Sequence, residues 1–267
     1  NKILIKQNIL APKLISQNYK NNYIEIEDFG DLTVFKKFKK KTVNKKIYYK
    51  KILNLLIKMK NIKTKYQKTF LKTNYKVPDY SLKKLLDESN LFLDWYLPKY
   101  VKRGKNKILK IKFNKIFKKL LNNIYYKNKV FVHRDFHISN LMITKKGLGL
   151  IDSQDAVYGN IAYDLASLID DVRFKTDIKT KNYIFDEFIK KNKQLNIKKF
   201  KNDFEILSVL RNLKIIGIFT RLSVRDKKNK YLKLIPHAWE LIDYRTLNNP
   251  IFKDLNYLLS KNFDRKN

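Results

Sequence analysis

Cysteine is missing altogether from this sequence, which removes disulfides and thiolate metal sites and fits a reducing compartment. Long hydrophobic runs are missing too. The most apolar helical stretch, residues 206–222, is interrupted by Arg211, Lys214 and Arg221 and cannot span a bilayer. No signal peptide is visible, so a cytoplasmic protein without a membrane partner is expected. Arginine is scarce: it supplies eight of the 60 basic residues. Surfaces that read bases favour the planar guanidinium fork, so no specific nucleic-acid partner is expected.

What is present reads as globular. The 267 residues are 44% apolar and 13% aromatic, despite 31% charged, and they suffice to bury a real core. The net charge of +36 comes from lysines scattered over the whole chain. Drift towards A/T-rich codons, which enriches Lys, Asn and Ile together, accounts for it. Weak, salt-sensitive binding of polyanions by a non-catalytic, lysine-rich protein is the alternative.

Along the chain, an apolar helical pattern (Ile3, Leu4, Ile9, Leu10) precedes Pro12. Two strand-like pieces, 13–16 and 22–27, lead into a turn at 27–31. Apolar residues then recur at helical spacing from Val43 to Met59. Ser81 is a good N-cap for a helix running on through Leu91, Phe92 and Trp95 to Pro98, and 112–127 reads as a further helix. Short β pieces are expected at 130–132, 141–144 and 148–151, the last two joined by a hairpin at Lys145-Lys146-Gly147. From Ile161 onwards the pattern is helical, with segments near 180–192, 197–226 and 229–247 and another after Pro250.

The chemistry is concentrated in a short stretch of the β region. His133-Arg134-Asp135 is followed by Asn140 on the loop between two β pieces, and Asp152 ends the next strand. Phosphoryl transfer asks for these groups in this order: a carboxylate for the acceptor hydroxyl, then an amide oxygen and a second carboxylate as hard ligands for Mg²⁺. Strand ends next to one another would bring the two ligands to one point. His133 is read as structural, its ring bonded to the loop backbone.

The stretch Val132-His133-Arg134-Asp135-Phe136-His137, followed by Asn140-Leu141-Met142, resembles the catalytic loop of the aminoglycoside phosphotransferase/choline kinase superfamily. Ile151-Asp152-Ser153-Gln154-Asp155-Ala156-Val157-Tyr158-Gly159 and Tyr163-Asp164-Leu165 are similar to a narrower group, the N-acetylmuramate/N-acetylglucosamine anomeric kinases of cell-wall recycling. Residues 25–31, 91–98 and 213–221 agree with it, so the resemblance covers nearly the whole chain.

That resemblance implies an α+β, protein-kinase-like fold: residues 1–31 as the remnant of an N-terminal β lobe and hinge, and 32–267 as a mainly helical catalytic lobe. It implies a monomer that uses ATP and Mg²⁺ to phosphorylate a small-molecule sugar. The expected acceptor is the anomeric hydroxyl of an N-acetylated amino sugar; aminoglycoside, choline and fructosamine are alternatives. By the same resemblance Asp135 is the catalytic base, and Asn140 and Asp152 are the metal ligands. His133, Arg134 and Asp164 support the site, with Asp164 bracing the catalytic loop. The backbone at Ile26 and Asp28 meets the adenine, while Asp94 and Trp95 lie on the acceptor side. Two positions depart from the group: Ser153 stands where Phe is usual, and Asn160 where Pro is. Ser153 is expected to loosen the packing that aims Asp152.

None of the six glycines forms a phosphate flap, and the strand Lys with its helix Glu partner is not assignable. A chain that opens in mid-pattern at Asn1 is expected to lack part of its N-terminal lobe.

Overall fold

The computed structural model describes residues 1–40, 43–69, 72–127 and 129–264. In chain order come α1 (Lys2–Lys6), β1 (Leu14–Asn18), β2 (Tyr23–Ile26), α2 (Val34–Phe38) and α3 (Lys45–Lys60). A small hairpin, β3 (Tyr66–Lys68) and β4 (Asn74–Lys76), precedes α4 (Leu82–Ser89), a π-helical turn (Phe92–Tyr96), α5 (Leu97–Tyr100) and α6 (Arg103–Asn122). Four strands follow: β5 (Val130–Val132), β6 (Leu141–Thr144), β7 (Gly147–Leu150) and β8 (Val157–Gly159). The rest is helical, with α7 (Tyr163–Ile169), α8 (Ile178–Lys190), α9 (Ile197–Val224), α10 (Ile235–Thr246) and α11 (Lys253–Asn262).

The contacts group into two units. The first comprises Asn1–Asp79, Asn128–Ile169 and Thr176–Leu195; the second comprises Tyr80–Lys127, Asp170–Lys175 and Asn196–Asn267. These are groupings of contacts and not the lobes expected from the sequence, whose boundary at residue 31 is a separate matter.

In the first unit, α3 buries Leu55, Leu56 and Met59 of the stripe expected from the sequence together with Ile52 and Leu53, whereas Ile47, expected in the same stripe, is exposed. The organising feature is the β6–β7 hairpin, paired in the register Leu141↔Leu150 and Thr144↔Gly147. Gly147, at φ +120°, takes the turn torsion that a side chain would strain. Two earlier segments rest on this hairpin. Leu150 donates its amide to the Leu10 carbonyl at 2.8 Å, and Ile143 donates to that of Leu32 at 2.8 Å. The chain of β1 and β2 is thereby carried across to the same hairpin.

The second unit is built on α9. Its long central stretch is buried on most faces, as a helix surrounded by others must be. Gly217 lets that helix come against the backbone of Leu91 and Phe92, since a Cβ there would lie 2.3 Å from the Leu91 carbonyl carbon. Phe92 and Tyr96 of the π-turn face inward, Phe92 meeting Trp239 edge-on at 5.8 Å. One buried charge pair stands out in this unit. Asp170 takes Arg245 Nε at 2.8 Å and Nη2 at 3.1 Å, and it also accepts the Ser208 hydroxyl at 2.6 Å.

Several expectations shift. The helix expected at 112–127 starts at Arg103, because its first turns are lysine-rich and only Leu109 and Phe113 begin the buried stripe. β5 pairs with β8, a three-residue strand too short for alternation to reveal. β3 and β4 are polar and largely exposed, so they too carry no apolar pattern. The helix expected after Ser81 exists, with Ser81 Oγ accepting the Lys84 amide at 3.1 Å, but it passes through a π-turn before Pro98.

Candidate active site

Asn140 immediately precedes β6, and Asp152 follows β7 by two residues. Because β6 and β7 are antiparallel partners, both residues sit at one end of the hairpin. The Ile151 amide donates to the Asn140 carbonyl at 3.1 Å, which ties the two ends together. Asn140 Nδ2 donates to the Asp135 carbonyl at 3.0 Å. With the amide NH₂ committed there, the orientation of the group is set and Oδ1 remains as its acceptor. The turn after Asp135 is completed by the His137 amide, which also bonds the Asp135 carbonyl at 3.0 Å.

Asp164, at the start of α7, is 2% exposed. Its carboxylate accepts two successive backbone amides, His133 at 2.7 Å and Arg134 at 3.0 Å. The loop is thus gripped just before Asp135. Arg134 adopts φ +75° and Asp152 φ +68°, left-handed torsions that Asp tolerates better than a long side chain such as Arg. Arg134 Nη1 reaches the Asp155 carbonyl at 3.3 Å and its carboxylate at 3.9 Å, joining the loop that follows β5 to the segment after Asp152.

His133 is fully buried, and its Nε2 meets the Ile151 carbonyl at 3.0 Å. Burial pushes its pKa below the usual histidine value, against the opposing pull of the Ile151 carbonyl and the Asp135 and Asp152 charges. A neutral ring that bonds backbone is a scaffold for the loop. Asp152 itself is exposed, and its Oδ1 accepts Gln154 Nε2 at 2.7 Å.

A cleft of about 1170 Å³ opens over this end of the hairpin. Asn140, Ile151 and Asp152 line it on one side, and Ile26, Glu27 and Asp28 on another. Leu14, Ile24 and Met142 add apolar surface. The two residues read from sequence as adenine contacts therefore share a cavity with the two read as metal ligands. The Asp28 side chain also closes a local turn, accepting the Gly30 amide at 2.7 Å. Asp135 is half-buried and is not among the lining residues. Behind the metal candidates, Ser153 is 8% exposed and donates its hydroxyl to Asn1 Oδ1 at 2.6 Å, so this polar replacement has a partner. Asn160 has one too: its Oδ1 accepts the Ala162 amide at 2.8 Å and shapes the entry to α7, which a proline could not do.

Among the described residues no group of three or more His, Cys, Asp or Glu side chains forms a protein-only metal cage. An amide oxygen with one carboxylate fits instead the way Mg²⁺ is held, by one or two side chains together with substrate phosphates and water. Among the described residues no helix is long and apolar enough to cross a membrane.

Asp94 and Trp95 belong to the second unit, on the π-turn. Asp94 is exposed and pairs with Lys110 at 2.9 Å, while Trp95 is half-buried. The carboxylate also lines a cavity of about 500 Å³ with Asn90, Asn114 and Lys118.

The chain is similar in sequence or structure to several known proteins. A model described as the phosphotransferase enzyme family matches residues 71–189. An N-acetylmuramate/N-acetylglucosamine kinase of Neisseria meningitidis is 34% identical over 169 residues, which are 60% of this chain and 50% of that protein. One of the same name from Pseudomonas aeruginosa is 24% identical over 264 residues, 97% of this chain and 75% of that protein. The chain thus spans about half the length of the first relative and three quarters of the second. An ethanolamine kinase of Plasmodium vivax superposes with a TM-score of 0.59 at 15% identity, covering 94% of this chain and 72% of that one. Its likeness establishes the α+β, kinase-like fold expected from the sequence.

Proposed function

From the match of residues 71–189 to the phosphotransferase enzyme family, we propose that the protein is an ATP-dependent kinase that phosphorylates a sugar hydroxyl. The acceptor we infer is the anomeric hydroxyl of an N-acetylated amino sugar, as the names of the two bacterial relatives suggest. The observation that carries the reading is the shared cleft: Ile26 and Asp28 on one wall, Asn140 and Asp152 on another.

In this reading residues 1–31 supply the hinge side and 32–267 the catalytic lobe. The backbone around Ile26 and Asp28 meets the adenine, and the apolar surface of Leu14, Ile24 and Met142 takes its faces. Asn140 Oδ1 and the Asp152 carboxylate hold Mg²⁺, which when bound neutralises charge on the transferring phosphoryl group. Asp135 orients the acceptor hydroxyl and takes its proton as that oxygen attacks phosphorus. Asp164, through the His133 and Arg134 amides, fixes where Asp135 stands. Asp94 and Trp95 contact the sugar, the carboxylate through hydroxyls and the indole through a ring face.

Two measurements test the proposal: ADP binding with and without a divalent cation, and product formation from ATP and Mg²⁺ with N-acetylmuramate, N-acetylglucosamine, an aminoglycoside, choline and a fructosamine offered as acceptors. Cation-dependent nucleotide binding is expected, with phosphate found on an amino sugar. Asp135→Ala should lower kcat about 10²–10⁴-fold while leaving ADP affinity nearly unchanged. No nucleotide binding at millimolar concentration, or transfer to choline alone, would overturn it.

A further inference from the structure

We infer that Gln154 is a positioning residue for the cation, acting through Asp152; the inference rests on the reading of Asn140 and Asp152 as metal ligands. Asp152 is exposed, so nothing in core packing fixes its carboxylate. Its backbone is held from behind, by the Ile151 amide on the Asn140 carbonyl and by His133 Nε2 on the Ile151 carbonyl. These bonds place the Cα and leave the side-chain torsions open. Gln154 supplies the missing restraint, with its Nε2 donating to Asp152 Oδ1 at 2.7 Å. No other side-chain hydrogen bond to the Asp152 carboxylate is found among the described residues, so Oδ2 stays available as a ligand.

The arrangement mirrors the one at Asn140. There an amide NH₂ is committed to the Asp135 carbonyl and one oxygen remains; here an amide NH₂ commits one carboxylate oxygen and the other remains. Both candidate ligands reach the cleft with a single preset oxygen. Gln154 is itself held by its loop. The Ala156 amide closes a turn on the Ser153 carbonyl at 3.2 Å, and Arg134 Nη1 takes the Asp155 carbonyl at 3.3 Å. Gln154 also lines the same cleft as Asp152 and Asn140. Partners of this kind, one bond removed from the metal, fix ligand orientation and are worth a measurable share of cation affinity.

The test is a Mn²⁺ titration followed by electron paramagnetic resonance, on the full chain with saturating ADP. Four proteins are compared: wild type, Gln154→Met, Gln154→Ala and Asp152→Asn. Methionine keeps the length and bulk of glutamine but cannot donate. Gln154→Met and Gln154→Ala should each weaken Mn²⁺ by about tenfold, with metal-free ADP affinity and the thermal midpoint unchanged. Asp152→Asn should weaken it more. Wild-type Mn²⁺ affinity in a folded Gln154→Met protein overturns the inference. So does an equal loss of metal-free ADP affinity, since that would mean a collapsed loop rather than a misaimed carboxylate. If Asp152→Asn also binds Mn²⁺ as wild type does, or if wild type binds none, the metal reading itself falls and Gln154 falls with it.

Discussion

Removing the Asp164 carboxylate should unfasten the loop that carries Asp135, at a cost the geometry allows one to estimate. Asp164 is 2% exposed and accepts the amides of His133 and Arg134 at 2.7 and 3.0 Å. Asp164→Ala leaves both donors without their acceptor in a place water reaches poorly. An unsatisfied buried donor costs about 1–3 kcal/mol, so the pair is worth about 2–6 kcal/mol, less whatever a trapped water restores. Taking about 3 kcal/mol, a chain of this size should melt about 6–12 °C lower. Asp164→Asn should fall between, because the amide keeps one acceptor and turns two protons towards a donor. Asp155→Ala is the control: that carboxylate is exposed and stands 3.9 Å from Arg134, a contact worth at most about 1 kcal/mol. The assay pairs thermal melts with hydrogen exchange at the His133 and Arg134 amides, which should lose protection in Asp164→Ala. A melting point within about a degree of wild type, with both amides still protected, would refute the reasoning.

Three further outcomes follow from the same structure. Gly217→Ala would place a Cβ 2.3–2.5 Å from backbone atoms of Leu91 and Phe92, which cannot swing aside. It should cost about 1–3 kcal/mol and change the near-ultraviolet dichroism of Trp95, read by melting and spectroscopy. Gly149→Ala meets the Phe29 ring at 2.6 and 2.7 Å; the ring can move but it lines the cleft, so ADP binding should weaken more than stability does, as calorimetry beside a melt would show. His133, whose pKa burial lowers, stays neutral in the fold while the unfolded chain takes up a proton below about pH 6.5. Its share of stability is therefore complete above that pH and is lost as pH falls through the folded value, and His133→Gln should flatten the acid side of a stability–pH curve.

How much of this was legible in advance depended on whether the information lay along the chain or across it. That the His133–Asp135 triplet, Asn140 and Asp152 come together in space was readable because a short loop and a hairpin fix their relation, and both are local. Val130–Val132 and Leu141–Thr144 announced themselves by composition. The pairing of β5 with β8 did not, since three residues ending in glycine carry no alternation. The π-turn at Phe92–Tyr96 was hidden because a single widened turn barely disturbs helical spacing. The backbone where it begins is approached by Gly217 of α9, far away in sequence. The value of Asn160 was missed for a related reason: seen only as a replacement for proline, its side chain gave no hint of the bond to the Ala162 amide.

Backbone torsions were the least legible feature, and they say most about the site. Arg134 at φ +75° and Asp152 at φ +68° stand beside Asn8, Asn22, Lys72 and Lys227 as the positive-φ residues other than glycine among those described. Asparagine tolerates that region, whereas a long or branched side chain pays about 1–3 kcal/mol to stay there. Neither Arg134 nor Asp152 is placed there for the turn alone, because each is clamped from outside its own segment. Asp164 holds the Arg134 amide, and the Asn140 carbonyl and His133 ring hold Ile151 next to Asp152. One of the two directly precedes Asp135, where the long Arg134 side chain makes the torsion costly, and the other is the candidate ligand itself. Relaxing either torsion would turn the peptide plane beside a catalytic candidate, moving the Asp135 carbonyl that orients Asn140 or the carboxylate that Gln154 holds. The fold thus fixes left-handed torsions at the two points where a small rotation would misalign the cleft, the costly one at Arg134, and the buried Asp164 and His133 help hold them there.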